Sequence, residues 1–391
     1  MDTRLAGALL HAAAGSQGLP DLMAALAHAM RREGLPVTRF GLQLMTQHPT
    51  IRATTLYWYA GPPERLERFD RPYGTELLPQ YSLSPIAAII ERGEGEIHLP
   101  MARLAPPWAY PVQADFAAQG VTDYLAVPLD FTVGRLGVLT VLTDAPDGFA
   151  PQRLDTIRGV LPLVTVLFER EAQKQRAESL LNTYVGRRTG ARILAGEVRR
   201  GTGATLNAVL WVSDLRGFTA LSDRLPREEL IALLNNYFEI QGNAVEEAGG
   251  EILKFIGDGM LALWTLDGED PAATARAALR AALAAIAGMR ALNTERADWG
   301  QPWLGCGIAL HVGDVMYGNI GAPDRLDFTV IGPAVNLASR IEGLCQPLGR
   351  QLLASRAFAD AAGASGLVPL GLHRVRGLDA PVEVLGHATG L

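Results

Sequence analysis

The first 170 residues alternate between helical and strand-like patterns of apolar positions. Within 19–33, Leu22, Leu26 and Met30 recur four apart, as on one face of a helix that ends before Gly34. Runs rich in β-branched and aromatic residues predict strands at 40–45, 53–59, 123–128 and 136–142. With a short helix at 84–92 and another from about residue 152, the pattern is typical of an α+β domain over residues 1–170.

The helix predicted from about residue 152 carries a narrow apolar seam from Leu154 onward. Ile157, Leu161, Val164 and Phe168 recur at alternating spacings of three and four, which predicts a helix that pairs with its twin in a dimer. Pro162 would kink this helix. The arginine-rich stretch that follows is expected to be a solvated helical linker over residues 171–206.

The second half of the chain predicts a second α+β domain over residues 207–391. Its order is strand, helix, strand, strand, helix, strand, with bounds near 208–212, 227–247, 251–256, 260–264, a helix from Pro271 and 304–312. Asp270 is expected to cap the second helix, with Pro271 in its first turn. This order is the βαββαβ unit of ferredoxin-like folds, in which the first strand lies beside the following hairpin. Two late strands follow near 367–376 and 382–386.

Composition narrows the classes of protein that this chain can represent. Hydrophobic residues make up 48% and charged residues 19% of its 391 positions, which is typical of globular domains. A net charge of -6 gives no reason to expect nucleic-acid binding. Two cysteines exclude a disulfide scaffold and a cysteine-rich zinc site. We expect no signal peptide, because His11 interrupts the brief apolar patch at 6–14. Arg280 interrupts the alanine-rich stretch 277–289, so we expect no membrane span and a cytoplasmic location.

Two acidic residues mark the candidate site. Asp214 stands where the first strand of the second domain ends, and Asp258 lies in the tight turn between Gly257 and Gly259. Each could be an ordinary cap or turn residue. Two carboxylates at adjacent strand tips instead suit a pair of divalent cations bridged by a polyphosphate. The backbone N–H groups of the next residues, Gly217, Phe218 and Thr219, would open a helix whose N-terminus favours phosphate.

The motifs DLRGFT, KFIGDG and DFTVIGPAVNLASR stand in this order between residues 207 and 385. Together they resemble the catalytic domain of the class III adenylate and guanylate cyclases. The resemblance implies that Asp214, Asp258 and the carbonyl of Leu215 hold two Mg²⁺ or Mn²⁺ ions in each active site. It further implies attack of the ribose 3′-hydroxyl on the α-phosphorus of the nucleotide, with release of pyrophosphate.

The same resemblance assigns roles to side chains later in the domain. Asn336 would orient the ribose, Arg340 would meet the charge that develops on the α-phosphate, and Arg376 would contact the polyphosphate. Lys254 and Thr329 correspond to the pair that selects the base. Lysine is only a donor, so it suits N1 of adenine and favours ATP over GTP. Simple alternation puts Lys254 on the same strand face as Ile252 and Ile256.

The N-terminal domain resembles a GAF domain, through its order of elements and the closing segment YLAVPLDFTVGRLGVLTVLTDAPDGFAPQRLDTI. The resemblance implies regulation by an unknown small molecule or protein. The aromatic residues considered for a ligand pocket are Trp58, Trp108, Tyr110 and Phe116, although core packing is the commoner role for such residues.

Because metal-binding and base-binding residues all occur in one chain, the cyclase resemblance implies a homodimer with two equivalent sites. We therefore expect an adenylate cyclase regulated by its N-terminal domain. A guanylate or mixed-specificity cyclase is one alternative, and a catalytically silent dimeric sensor or scaffold is the other. Pro333, where many relatives carry Asp or Asn, is a departure from the family pattern near the base pocket.

Overall fold

The computed structural model describes residues 3–268, 270–363 and 366–388. The chain divides into two compact units, Met1–Thr183 and Tyr184–Leu391.

The first unit is built on one antiparallel sheet of six strands in the order β3-β2-β1-β6-β5-β4. Its strands are β1 (Arg39–Met45), β2 (Ile51–Tyr59), β3 (Arg65–Pro72), β4 (Ile97–Leu99), β5 (Asp123–Phe131) and β6 (Gly134–Thr143). Its helices are α1 (Thr3–Ala14), α2 (Leu19–Arg32), α3 (Pro79–Ser82), α4 (Pro85–Glu91), α5 (Val112–Ala118) and α6 (Pro151–Val185), the last of which runs past the unit boundary. The sequence pattern did not predict α1, β3, α3, β4 or α5. Strand β3 lies at the sheet edge and is mostly exposed, so it lacks the apolar alternation that marks a half-buried strand.

Helix α6 changes one prediction. It continues through Pro162, and Ile157, Val164 and Phe168 are fully buried in the main core of the first unit, together with α1, α2 and the inner sheet face. Leu161 packs against the same core. The apolar seam is therefore covered by the core of its own chain, and the prediction that it pairs with the same helix of a second chain is wrong. Periodicity fixes which face of a helix is apolar but not which surface covers it.

The second unit contains an eight-stranded sheet in the order β13-β14-β12-β10-β7-β9-β8, with β11 paired to β10. Its strands are β7 (Gly203–Leu215), β8 (Glu251–Ile256), β9 (Gly259–Thr265), β10 (Cys306–Ala322), β11 (Arg325–Ile331), β12 (Leu352–Ser355), β13 (Leu367–His373) and β14 (Val382–His387). Its helices are α7 (Arg187–Leu194), α8 (Phe218–Ser222), α9 (Arg227–Glu247), α10 (Pro271–Asp298), α11 (Pro333–Gly343) and α12 (Arg356–Ala362). The predicted order of strands and helices is present, and the Asp270 side chain accepts a hydrogen bond from the Ala273 backbone as the predicted cap.

Strands β7 and β10 are longer than their apolar runs predicted. They pair antiparallel from Leu215 opposite Cys306 to Gly203 opposite Gly318. The start of β7 therefore lies inside the range expected to be linker. At the far end a Cβ on Gly318 would stand 2.5 Å from the Cα of Gly203, so the glycine permits the close approach of the two strands.

Helices cover both faces of this sheet. Helices α9, α10 and α12 pack on one face in the largest core of the unit, and α11 packs on the other. Helix α10 has the length and apolar composition of a membrane span. Its alanine-rich side is buried in the core against α9 and the sheet, which accounts for its apolar composition.

Candidate active site

Asp214 and Asp258 lie together at one end of the sheet. Asp214 is the penultimate residue of β7 and pairs with Gly259 at the start of β9, while Asp258 occupies the turn between β8 and β9. A Cβ on Gly259 would stand 2.9 Å from the backbone oxygen of Ser213 and 3.4 Å from Oδ1 of Asp214. Glycine at this position therefore lets the turn that carries Asp258 approach β7.

The electrostatics of this pair favour a cation. Burial and the neighbouring charge of Asp258 raise the pKa of Asp214, and Arg216 acts in the opposite direction. Two half-buried carboxylates repel one another unless a proton or a cation lies between them. Their oxygens are the ligands that Mg²⁺ and Mn²⁺ prefer, so the residues fit such ions. No group of three His, Cys, Asp or Glu side chains suited to a metal occurs in the described ranges, so further ligands would come from backbone or substrate.

The segment after Asp214 forms a short turn and helix. Leu215 ends β7, and its side chain is buried. The role of its carbonyl as a metal ligand stays a prediction. Gly217 has a left-handed backbone conformation, with φ of 72°, and α8 begins at Phe218. Since the first N–H groups of a helix have no partners within it, those of Phe218 and Thr219 are free to donate near the carboxylate pair.

The base-selecting candidates are found beside a residue that the sequence analysis did not single out. Lys254 Nζ donates to Oδ2 of Asp327 at 2.5 Å. Asp327 and Thr329 are two apart on β11 and therefore lie on one face of it. The Thr329 side chain is buried, and its Oγ1 has no hydrogen-bond partner in the described part of the chain. The ion pair thus brings Lys254 to the strand that carries an unsatisfied threonine hydroxyl.

The expected orientation of Lys254 relative to Ile252 is wrong. A register shift between the two residues interrupts the pairing of β8 with β9. Ile252 pairs with Ala262 and packs towards the α9 and α10 face, whereas Lys254 pairs with Leu261, which belongs to the core of the opposite face. A bulge inserts one extra residue and reverses the alternation beyond it, so Lys254 shares a face only with Ile256.

Helix α11 carries the two predicted catalytic residues. Asn336 is exposed and Arg340 half-buried one turn later. Pro333 occupies the first helical turn, where the missing N–H has no cost. A Cβ on Gly377 would stand 3.1 Å from Nη2 of Arg340, so this guanidinium lies against the loop between β13 and β14.

That loop contains Arg376, the predicted polyphosphate contact. Arg374 and Arg376 are both exposed and flank the buried Val375. The structure thus brings the loop to Arg340, and the choice between the two arginines stays a prediction.

A partly buried ion pair joins the carboxylate segment to α11. Arg216 Nη2 donates to Oε1 of Glu342 at 2.6 Å and to the backbone oxygen of the same residue at 3.2 Å. A Cβ on Gly307 would stand 1.9 Å from that Nη2, so a glycine in β10 makes room for the pair. Neither residue was predicted from the sequence, although Arg216 stands within the DLRGFT motif and Glu342 follows Arg340 by two residues.

His311 and Cys306 are packing residues, as expected. Burial raises the pKa of Cys306 to about 12 and lowers that of His311 to about 4. Nδ1 of His311 shares a 2.8 Å hydrogen bond with Oγ of Ser355.

Comparison with known proteins bears on the same region. Residues 205–354 match the family model of the adenylate and guanylate cyclase catalytic domain, which confirms the resemblance for this segment. The chain is 38% identical over 153 residues to an adenylate cyclase of Anabaena cylindrica, covering 39% of this chain and 30% of that protein. It is 32% identical over 173 residues to adenylate cyclase 1 of Rhizobium meliloti, covering 44% and 26% of the two chains.

Among solved structures, a bacterial light-regulated adenylyl cyclase is similar with a TM-score of 0.51 at 22% identity, over 66% of this chain and 82% of that one. This likeness concerns the fold alone. The chain spans less than a third of the length of the two curated relatives described above.

Proposed function

We propose that the chain is an adenylate cyclase that converts ATP to 3′,5′-cyclic AMP and pyrophosphate. The observation that carries the proposal is the half-buried pair of Asp214 and Asp258, in which burial and the neighbouring carboxylate raise the pKa of Asp214. The pair lies inside the segment that matches the cyclase family model. The named adenylate cyclases among the relatives support ATP as the substrate.

In this proposal Asp214, Asp258 and the Leu215 carbonyl hold two Mg²⁺ or Mn²⁺ ions. When bound, such ions would lower the pKa of the ribose 3′-hydroxyl and neutralise the charge of the polyphosphate. The N–H groups of Gly217, Phe218 and Thr219 donate to phosphate oxygens.

The remaining side chains position the nucleotide. Asn336 orients the ribose, and the guanidinium of Arg340 donates to the α-phosphate as negative charge develops there. Arg376 contacts the terminal phosphates. Lys254 donates to N1 of adenine, and the hydroxyl of Thr329 gains the hydrogen-bond partner that it lacks in the free domain.

We further propose a homodimer in which the carboxylates of one protomer face Lys254, Thr329, Asn336 and Arg340 of the other. The strand order β10-β7-β9-β8 supports a ferredoxin-like arrangement of the catalytic domain. The sheet and helices of the first unit are compatible with a GAF-like domain that regulates activity.

GTP is the second candidate substrate, because Asp327 places a carboxylate acceptor beside Lys254. A carboxylate suits the N1–H of guanine, which a lysine opposes. The competition between these two side chains would set the preference for the base.

The test is cyclic nucleotide production by the full chain with Mn²⁺ and either ATP or GTP. We expect cyclic AMP from the parent and from the control Asp223→Asn, an exposed aspartate near α8, but not from Asp214→Asn. Mainly cyclic GMP would favour the second candidate. No product from the parent would favour the silent sensor or scaffold.

Mixing two inactive variants tests the shared site. Asp214→Asn and Arg340→Met each disable a different half of every site. Random exchange makes half of the dimers mixed, and each mixed dimer has one intact site of two, so about a quarter of parent activity should return. A mixture that stays inactive after subunit exchange contradicts the shared site without contradicting the chemistry.

A further inference from the structure

The first unit contains a cavity of about 230 Å³ on the sheet face opposite its main core. Strands β1 and β2 form its floor, and residues of α3, α4 and α5 close it. Of the aromatic residues suggested from sequence, Phe116 borders the cavity. Trp58 is buried in the main core, and Trp108 and Tyr110 pack against the apolar cluster around Phe116.

The cavity wall holds an arginine without a counter-ion. The guanidinium of Arg39 lies 5.3 Å from the ring centroids of both Tyr57 and Phe116. Its Nε is buried and has no hydrogen-bond partner among the described residues, and Arg39 is in none of the arginine ion pairs found among those residues. A cation held in this way is poorly solvated and would gain from an anion in the cavity.

A second unsatisfied group lines the same space. Thr140 is 3% exposed, and its Oγ1 lacks a partner in the part of the chain that the structure describes. Gln43 is also buried, and its Oε1 accepts from Thr55 Oγ1 at 3.3 Å, which leaves its amide NH₂ group as a donor. The wall therefore presents neutral donors around the cationic one.

Two other arginines, Arg52 and Arg71, also line the cavity, and they differ from Arg39 in their partners. Arg52 is neutralised by Glu91 at 2.6 Å and by Glu76 at 3.7 Å. Arg71 stacks on Phe69, with the guanidinium carbon 5.1 Å from the ring centroid, and has no ion pair with any described residue. The cavity is thus positive on balance, and of its two unpaired arginines only Arg39 has a buried nitrogen without a partner among the described residues.

We propose that this cavity binds a small organic acid with an aromatic or planar body. Its carboxylate pairs with the Arg39 guanidinium and accepts from the Thr140 hydroxyl, and its body lies against Phe116 and Tyr124. These two rings already stack with centroids 4.9 Å apart. The cavity exceeds the roughly 150 Å³ that holds benzene and is smaller than the roughly 300–1,000 Å³ of sites for larger ligands. The size therefore favours an acid of about ten heavy atoms over a nucleotide.

The test measures binding to the full chain and does not depend on catalytic activity. Benzoate, phenylacetate and 3-phenylpropionate are each compared with the corresponding amide, by calorimetry and by melting temperature. At least one acid should bind with 1:1 stoichiometry and at least about tenfold more tightly than its amide, because only the carboxylate carries a negative charge and forms a two-pronged ion pair with arginine.

Matched variants locate the site. Arg39→Met should abolish the preference for the acid, and Thr140→Val should weaken binding of the acid. Arg65→Met is the control, because Arg65 also stacks on a tyrosine, 4.2 Å from the Tyr59 ring centroid, but lies outside the cavity. The proposal is overturned if none of the three acids binds, if each acid and its amide bind equally, or if acid binding survives Arg39→Met. The comparison of acid with amide on the parent holds even if a variant fails to fold.

Discussion

Replacing Asp327 with asparagine should improve the use of ATP. In the free domain Lys254 donates to the Asp327 carboxylate at 2.5 Å. Under the proposed role of Lys254, this contact competes with the adenine base for the same ammonium group. The side chains of Lys254 and Asp327 are 30% and 60% exposed, and a pair in that setting contributes little stability. We take about 0.2–1 kcal/mol for such a pair.

Releasing that interaction corresponds to a decrease of about 1.4- to 5-fold in the KM for ATP. The kcat should stay unchanged, because the competing contact stabilises only the free enzyme. With GTP the opposite is expected, since Asp327→Asn removes the acceptor for the N1–H of guanine. Initial rates of cyclic AMP and cyclic GMP formation over a range of substrate concentrations give both constants.

Two comparisons make the measurement decisive. Asp324→Asn alters an exposed aspartate in the turn before β11 and should leave both constants unchanged. In a Lys254→Met background the effect of Asp327→Asn on ATP should disappear. A KM for ATP that rises or stays constant, or an effect that persists without Lys254, would refute the reasoning.

Arg216→Met leaves the Glu342 carboxylate buried without its cation and should lower the free energy of unfolding of the second unit by about 3 kcal/mol, of which adding Glu342→Gln should recover more than half. Urea denaturation measures this, and equal losses in the single and double variants would contradict it. Burial lowers the pKa of His311 to about 4, so the unfolded chain takes up this proton first and stability is lost as pH falls below the ordinary histidine value. His311→Asn should remove about 3 kcal/mol of the loss between pH 7 and pH 4, measured by urea midpoints across that range. Gly259→Ala would place a Cβ 2.9 Å from a backbone oxygen of β7 and should cost about 1–3 kcal/mol together with most of the activity. In Gly268→Ala the new Cβ meets nothing within 4 Å, and both properties should be retained.

Sequence reasoning found the elements whose apolar pattern is strong. The helix predicted at 19–33 is observed at Leu19–Arg32, and the helix predicted at 227–247 at Arg227–Glu247. It missed β3, where an exposed edge strand carries no alternation, and it placed the start of β7 in the linker, because glycine-containing ribbons lack an apolar signal.

The candidate site shows the same division. Three ordered motifs located Asp214, Asp258 and Arg340, and they also contain Arg216 and Asp327, while Glu342 stands two residues after the last motif. The pairing of Arg216 with Glu342 depends on how α11 packs near β7 and β10, and the pairing of Lys254 with Asp327 depends on how β11 passes β8. Neither arrangement can be predicted from the spacing of residues along the chain.

The sequence by itself determined the α+β class, the order of the elements and the motifs that indicate cyclase chemistry, because periodicity and turn chemistry act over a few neighbouring residues. The tertiary structure alone decided that the α6 seam is covered by its own sheet, that a bulge turns Lys254 away from the face of Ile252, and that Arg39 stands beside a cavity without a counter-ion. These outcomes depend on which distant surfaces meet, and one helical or strand pattern is compatible with many partners.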